Sequence, residues 1–198
     1  MSAPSGGGKT SLIRALLDRD DKVSLSVSHT TRAPRPGEVA GQHYHFVENQ
    51  AFLNLIGQNT FLEHARVFDH RYGTGREMVE HKLVEGYDVL LDIDWQGARQ
   101  IRSSFPACCT VFILPPSLEA LRERLARRRQ DSEQVIDRRM NEARAEISHW
   151  DEFDFVIIND DFDAALADLQ SIVRHGKLQR AVKKNHYVDL VAELLKNR

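Results

Sequence analysis

Eight residues near the start of the 198-residue chain, Ala3-Pro4-Ser5-Gly6-Gly7-Gly8-Lys9-Thr10, have the composition of a phosphate cradle. They fit G-x-x-x-x-G-K-[ST] at every fixed position but the first, where Ala3 stands for glycine and adds only a methyl group. Small residues let successive backbone N–H groups turn inward around phosphate oxygens, and the helix that follows adds the positive end of its dipole. In that pattern Lys9 reaches the β- and γ-phosphates of a nucleotide and Thr10 offers its hydroxyl to Mg²⁺. Such a loop ordinarily follows a buried strand. Only Met1 and Ser2 precede Ala3, so the expected strand is absent before the loop, which leaves three readings: the chain begins further upstream, the sequence is truncated, or the loop lacks its usual anchor.

Further chemistry is concentrated in four places. The window SVSHTTRAPRPGEVAGQHYHFV carries Ser28, Arg32, Arg35, Gly37, Glu38, Gly41 and Tyr44. FLEHARVFDHRYGT follows it. Asp92 and Asp94 end the apolar run YDVLLDI, and a spacing of two puts both on one face of a strand, at the carboxyl end where ligands of α/β sheets collect. Arg122 to Arg129 is dense in positive charge, a pattern that usually marks a solvated helix face. The nine histidines show no metal-ligand spacing.

The elements that must position these groups can be read from periodicity. Residues 9–18 show helical spacing, with Leu12, Ile13, Leu16 and Leu17 on one face. Residues 23–27 alternate as a strand, 32–41 are Pro- and Gly-rich loop, and 42–47 form a short strand. Helices are expected over 51–57 and 75–86. The compact apolar runs 87–93, 110–114 and 153–158 suggest parallel strands buried on both faces. Helical stretches at 96–103, 117–129 and 132–150 alternate with them, which predicts a parallel sheet wrapped by helices, closed by helices over 162–175 and 187–196. Asn159-Asp160-Asp161 is a helix entry.

Bulk properties bound the function. The net charge of −2, with 28% charged and 41% hydrophobic residues, describes an ordinary globular protein with no global field for nucleic acid or a membrane surface. No apolar run reaches the ~18 residues of a spanning helix, and the start lacks the pattern of an export signal, so the cytoplasm is the expected location. Adjacent Cys108 and Cys109 are read as reduced, buried thiols.

The segments SVSHTTRAPRPGEVAGQHYHFV, FLEHARVFDHRYGT, LLDIDWQGARQIR, ILPPSLEALRERL and VIINDD, in this order, resemble bacterial guanylate kinase from Ser2 to about Gly176. The resemblance implies an α/β, P-loop three-layer fold with a parallel sheet, a GMP-binding lobe and a helical lid: one domain over 1–198, with core 1–29, 87–125 and 150–198, lobe 30–86 and lid 126–149. It implies ATP and GMP as substrates, with Mg²⁺. Ser5, Gly6, Gly7, Gly8, Lys9, Thr10, Ser11 and Asn159 then contact ATP, and Thr10 and Asp92 hold the metal. Arg32, Arg35, Tyr44 and Tyr72 match positions that hold the GMP phosphate. Ser28, Glu63 and Thr74 match those that meet the base, and Asp94 matches a position facing GMP. A carboxylate at 63 accepts from both N1–H and the 2-amino group of guanine. Adenine would leave it unpaired at a cost of roughly 1–3 kcal/mol. Glu63 could alternatively be a solvated helix charge, and Asp94 a helix cap. Gly97 would permit close backbone approach to the nucleotide.

Lys9, Arg35, Arg128 and Arg139 are implied as catalytic. The family usually has glycine after the lid arginine, where this chain has Arg129, so Arg128 and Arg129 compete for that role. A GMP phosphate is ionised at neutral pH and needs no general base, which leaves positioning and charge neutralisation as the catalytic terms. Two rivals remain: a non-catalytic interaction module on the same fold, disfavoured by an intact Lys9 and Thr10, and a kinase of a ribose phosphate, disfavoured by Glu63 and Ser28.

Overall fold

The structure is a computed structural model that describes residues 1–67, 69–127, 133–175 and 188–196. It falls into two compact units, one of Met1–Arg19 with Cys109–Arg198 and the other of Asp20–Cys108.

In the first unit, helix α1 (Lys9–Leu17) buries Leu12, Ile13 and Leu16, which lie on one face at helical spacing. That face packs against α7 (Phe162–His175), which contributes Ala165, Leu166 and Leu169. Strand β7 (Val111–Leu114) is buried along its whole length and pairs in parallel with β8 (Phe155–Ile158), from Val111↔Phe155 to Leu114↔Ile158. Asp154 fixes this register: its Oδ2 accepts from the Thr110 amide (2.9 Å) and hydroxyl (2.8 Å), while its own amide donates back to Thr110 Oγ1 (2.9 Å). Phe112 and Phe153 meet edge to face at 4.9 Å, and each such buried side chain contributes roughly 1.5–3 kcal/mol. Helices α5 (Leu118–Arg127) and α6 (Glu133–Ile147) share a small core of Leu121, Leu125, Ile136, Met140 and Ala143. A 3₁₀ turn, Trp150–Glu152, and helix α8 (Val188–Leu195) complete the unit.

In the second unit, β1 (Val23–Leu25) pairs in parallel with β6 (Asp88–Leu90). A four-stranded mixed sheet has the order β3 (His45–Phe46), β2 (His29–Thr30), β5 (His70–Gly75), β4 (Phe61–Val67). Within it β4 and β5 run antiparallel, with Glu63 opposite Thr74. Phe52, on α2 (Asn49–Gly57), stacks on Phe61 at 4.7 Å. Gly73 lies beneath them; a Cβ there would come within 3.0 Å of Phe52 Cζ. Helix α3 (Arg76–Val84) lies against β6, and α4 (Trp95–Ser104) against β4.

The parallel strand pairs and the alternation of strands with helices agree with the α/β expectation. Three expectations are corrected. The 87–93 run yields a strand of only three residues, Asp88–Leu90, exposed at its start and half-buried after, so Asp92 and Asp94 lie beyond the strand and not on one of its faces. The cysteines are free, but Cys109 is exposed and Cys108 half-buried. Of the three readings left open at the start of the chain, the one in which the glycine loop lacks a β anchor also fails. Ser2 forms a parallel bridge with Phe112: its amide donates to Val111 O and its carbonyl accepts from the Ile113 amide, both at 2.9 Å. Met1, Ser2 and Ala3 are all buried, and the Ser2 bridge ties the loop to β7.

Candidate active site

The glycine loop has the shape its composition predicts. Gly6 and Gly8 take the left-handed conformation, with φ of 89° and 94°, which a side chain would strain. The Gly7 amide closes a turn on Pro4 O at 2.8 Å, and Gly8 is the N-cap of α1. Gly8 supplies no side-chain cap to the first turn of α1, and a helix N-terminus is the kind of place that receives an anion. Lys9 and Thr10 form the first turn of α1, with Thr10 and Ser11 exposed and Lys9 half-buried.

The loop is braced by groups outside its motif. Asn159, buried at the end of β8, donates from Nδ2 to Gly7 O at 2.8 Å. A Cβ on Gly8 would collide with that same amide nitrogen. The carbonyl of Asn159 in turn accepts from Arg124 Nη2 on α5 at 2.8 Å. On the other side, the Ser5 amide donates to Glu146 Oε2, from the last turn of α6, at 3.1 Å. The side chain of Asn159 thus supports the loop that its assignment as an ATP contact only placed nearby. Arg124 and Glu146 escape a sequence reading, because nothing in a run of mixed charge marks which member turns inward.

Arg139 is half-buried on α6. Arg128 and its competitor Arg129 lie outside the described residues. Arg122, in the same basic stretch, is held by Glu133 and by Asp137 at 2.7 Å, which ties α5 to α6.

In the second unit Glu63 lies on β4, not on a helix, and is 3% exposed. The Thr74 hydroxyl donates to its Oε1 at 2.6 Å from the facing position of β5. Burial pushes the Glu63 carboxyl up to about 7; the Thr74 bond pulls against that shift, and the Asp94 carboxylate adds to it. Ser28 and Thr74 are both buried in this unit. A buried carboxylate and two hydroxyls suit a ligand edge rich in N–H donors.

The basic half of this unit is built on Arg32. Its guanidinium forms a fork on Glu38, at 2.8 and 3.0 Å, and lies over the rings of Tyr44 (5.4 Å) and Phe46 (5.9 Å). Tyr44 and Tyr72 meet edge to face at 6.0 Å. Glu38 also accepts from the Arg35 amide at 2.7 Å, which shapes the turn and leaves the Arg35 side chain exposed. The resemblance groups Arg32, Arg35, Tyr44 and Tyr72; Arg32, Tyr44 and Tyr72 converge, the Arg35 side chain is exposed, and Glu38, named in the sequence window without a role, is the organising acid.

Asp94 is a helix cap. Its Oδ1 accepts from the Gly97 amide at 2.8 Å and its Oδ2 from Gln96 Nε2 at 2.9 Å, so both oxygens are engaged within the first turn of α4. Asp92 is half-buried in the extended segment before it. Among the described residues, no group of three or more His, Cys, Asp or Glu could hold a metal ion. A site built from one hydroxyl or carboxylate together with substrate phosphates would not form such a group. Gly97 makes room for protein and not only for ligand: a Cβ there would overlap Glu63 Oε2 and come within 3.0 Å of Glu63 Cδ.

Comparison with known proteins accounts for both halves together. The guanylate kinase family profile matches residues 1–176. The chain is 55% identical to guanylate kinase of Shewanella oneidensis, across 98% of this chain and 95% of that one. It is 60% identical to guanylate kinase of Alkalilimnicola ehrlichii, across 87% and 85%. Its fold is similar to the crystal structure of guanylate kinase from Anaplasma phagocytophilum, with a TM-score of 0.75 and 32% identity over 99% of this chain and 94% of that one. With a family profile that spans residues 1–176 and relatives 55–60% identical over most of both chains, this chain belongs to the guanylate kinase family.

Proposed function

We propose that this chain transfers the γ-phosphoryl group of ATP to GMP, and to dGMP, giving ADP and GDP, as a step of purine nucleotide metabolism in the cytoplasm. The observation that carries the reading is Glu63, buried on β4 with Thr74 donating to its Oε1. Oxygen lone pairs remain on that carboxylate to accept the N1–H and 2-amino donors of guanine. Adenine offers neither donor there, so AMP would leave the group unpaired. Ser28 adds a second hydroxyl for the base, and Arg32, Arg35, Tyr44 and Tyr72 hold the nucleotide's phosphate. Asp94, engaged in capping α4, orients the segment that faces GMP.

On the donor side, Ser5 to Ser11 wrap the ATP phosphates, with Lys9 on the β- and γ-oxygens and Asn159 holding the loop's shape. The oxygen donors fit Mg²⁺: it commonly takes one or two protein oxygens, which Thr10 and Asp92 would supply, and completes its shell with substrate phosphates and water. When bound, the ion neutralises phosphate charge. The acceptor oxygen of GMP is already anionic, so no residue has to remove a proton. Lys9, Arg35, Arg139 and Arg128 or Arg129 offset the charge that develops on the transferred group and on ADP. We assign the GMP-binding lobe to 30–86 and the lid to 126–149, whose closure would exclude water from the reacting phosphates. The intact Lys9 and Thr10 favour this enzyme over a module that only binds partners. No described helix is long and apolar enough to cross a membrane.

The test is Glu63→Gln, which keeps the shape of the side chain and removes its capacity to accept twice. The ratio of kcat/KM for GMP over AMP is expected to fall by about tenfold or more. An unchanged ratio would remove Glu63 from the recognition of guanine.

A further inference from the structure

We propose that Gly97 is a specificity-determining residue of the GMP site: the side chain it lacks is the space in which the Glu63 carboxylate is seated. The inference rests on the reading of Glu63 as the group that recognises guanine. Gly97 sits in the first turn of α4, with its amide held by Asp94 Oδ1 at 2.8 Å. A Cβ at that position would overlap Glu63 Oε2, approach Glu63 Cδ to 3.0 Å and lie 3.3 Å from Ile93 Cβ. No left-handed backbone angle explains a glycine here, and inside a helix alanine is the better helix former. What the site requires is the absence of a methyl group.

The surrounding structure decides which partner would yield. Helix α4 cannot simply back away from β4, because Gln100 clamps it there. Its Oε1 accepts from the His64 amide at 3.1 Å and its Nε2 donates to the His64 carbonyl at 2.9 Å, one residue beyond Glu63. Asp94 fixes the start of the same helix. Glu63 is the softer element, a side chain with rotatable bonds held at its tip by Thr74. A methyl group at 97 therefore displaces the carboxylate, breaks its alignment with Thr74 and moves the acceptor that guanine needs, while leaving the glycine loop of the other unit unaltered.

The experiment compares Gly97→Ala, Glu63→Asp and the double variant in the full chain by initial rates with GMP and AMP, by KM for ATP, and by thermal melting. In Gly97→Ala, KM for GMP is expected to rise by about tenfold or more and the preference for GMP over AMP to fall, with KM for ATP unchanged. Glu63→Asp shortens the side chain and withdraws the carboxylate, so adding Gly97→Ala to it should cost little more. If Gly97→Ala alone fails to fold, the double variant should recover a melting transition. Wild-type GMP kinetics in Gly97→Ala, fully multiplicative effects in the double variant, or a double variant that also fails to fold would each overturn the proposal. Glu63→Gln run alongside separates the two readings. If it keeps the GMP preference, the role of Glu63 itself has failed. If it loses the preference while Gly97→Ala behaves as wild type, only the role of Gly97 has.

Discussion

The side-chain amide of Asn159 donates to the carbonyl of Gly7 at 2.8 Å, joining the end of β8 to the middle of the glycine loop across 152 positions of sequence. The bond is buried, and the left-handed turn at Gly8 presses against the same amide group, with a Cβ there only 3.3 Å from Asn159 Cγ. The loop is therefore held in its shape by a group that need not touch the ligand, an instance of preorganisation.

Asn159→Ala should separate that support from direct binding. Removing the donor leaves a buried carbonyl without its partner, at about 1–3 kcal/mol. KM for ATP should rise by about tenfold, with KM for GMP unchanged. Initial-rate kinetics with each substrate varied in turn provide the check, and an ATP KM equal to the wild-type value contradicts the bracing role.

Lys9→Ala removes the cation assigned to the β- and γ-phosphates. Turnover should fall by about two orders of magnitude or more, since an electrostatic contact made mainly in the transition state is lost. Lys9 is half-buried in the first turn of α1 and is not one of the buried core side chains, so the melting temperature should stay near that of the parent. A wild-type kcat would dismiss the phosphate role.

The Glu63 carboxyl makes a pH signature of known sign. Its folded value, raised by burial from the ordinary 4.5 to about 7, lies above the unfolded one. Between those two values the folded chain keeps a proton that the unfolded chain has released, so this group's contribution to stability declines as pH rises through that window. Glu63→Gln should flatten that decline in a series of melting curves. GMP binding has the opposite slope, because the carboxylate is the form that accepts two N–H donors. Affinity for GMP should rise as pH passes about 7 in the parent and lose that increment in Glu63→Gln. Parallel pH profiles for the two proteins would contradict the assignment.

What could be read without coordinates follows from how local each signal is. The glycine loop, α1, β7, β8 and α7 are legible because their periodicity or motif is contiguous and their burial one-sided or complete. Strands β4 and β5 are not, because His64, Arg66, His70 and Arg71 interrupt their apolar positions and the run resembles a polar loop until the sheet pairs Glu63 with Thr74. Asp94 shows the same limit. A spacing of two from Asp92 suggests a shared strand face, but β6 ends at Leu90 and the cap of α4 claims both oxygens of Asp94. The braces on the loop, Asn159 and Glu146, reach it from far along the chain, and Arg124 acts on it only through Asn159. No pattern of neighbouring residues encodes such a contact; the fold does.

The central claim is that a carboxylate-reading pocket selects the purine that receives phosphate from the glycine-loop nucleotide. ADP formation from ATP and Mg²⁺, followed with GMP, with AMP and with no acceptor, tests it most directly. The account predicts steady ADP release with GMP, a rate lower by about two orders of magnitude or more with AMP, and background hydrolysis without acceptor. Equal rates with GMP and AMP, or ADP release that ignores the acceptor altogether, would contradict it.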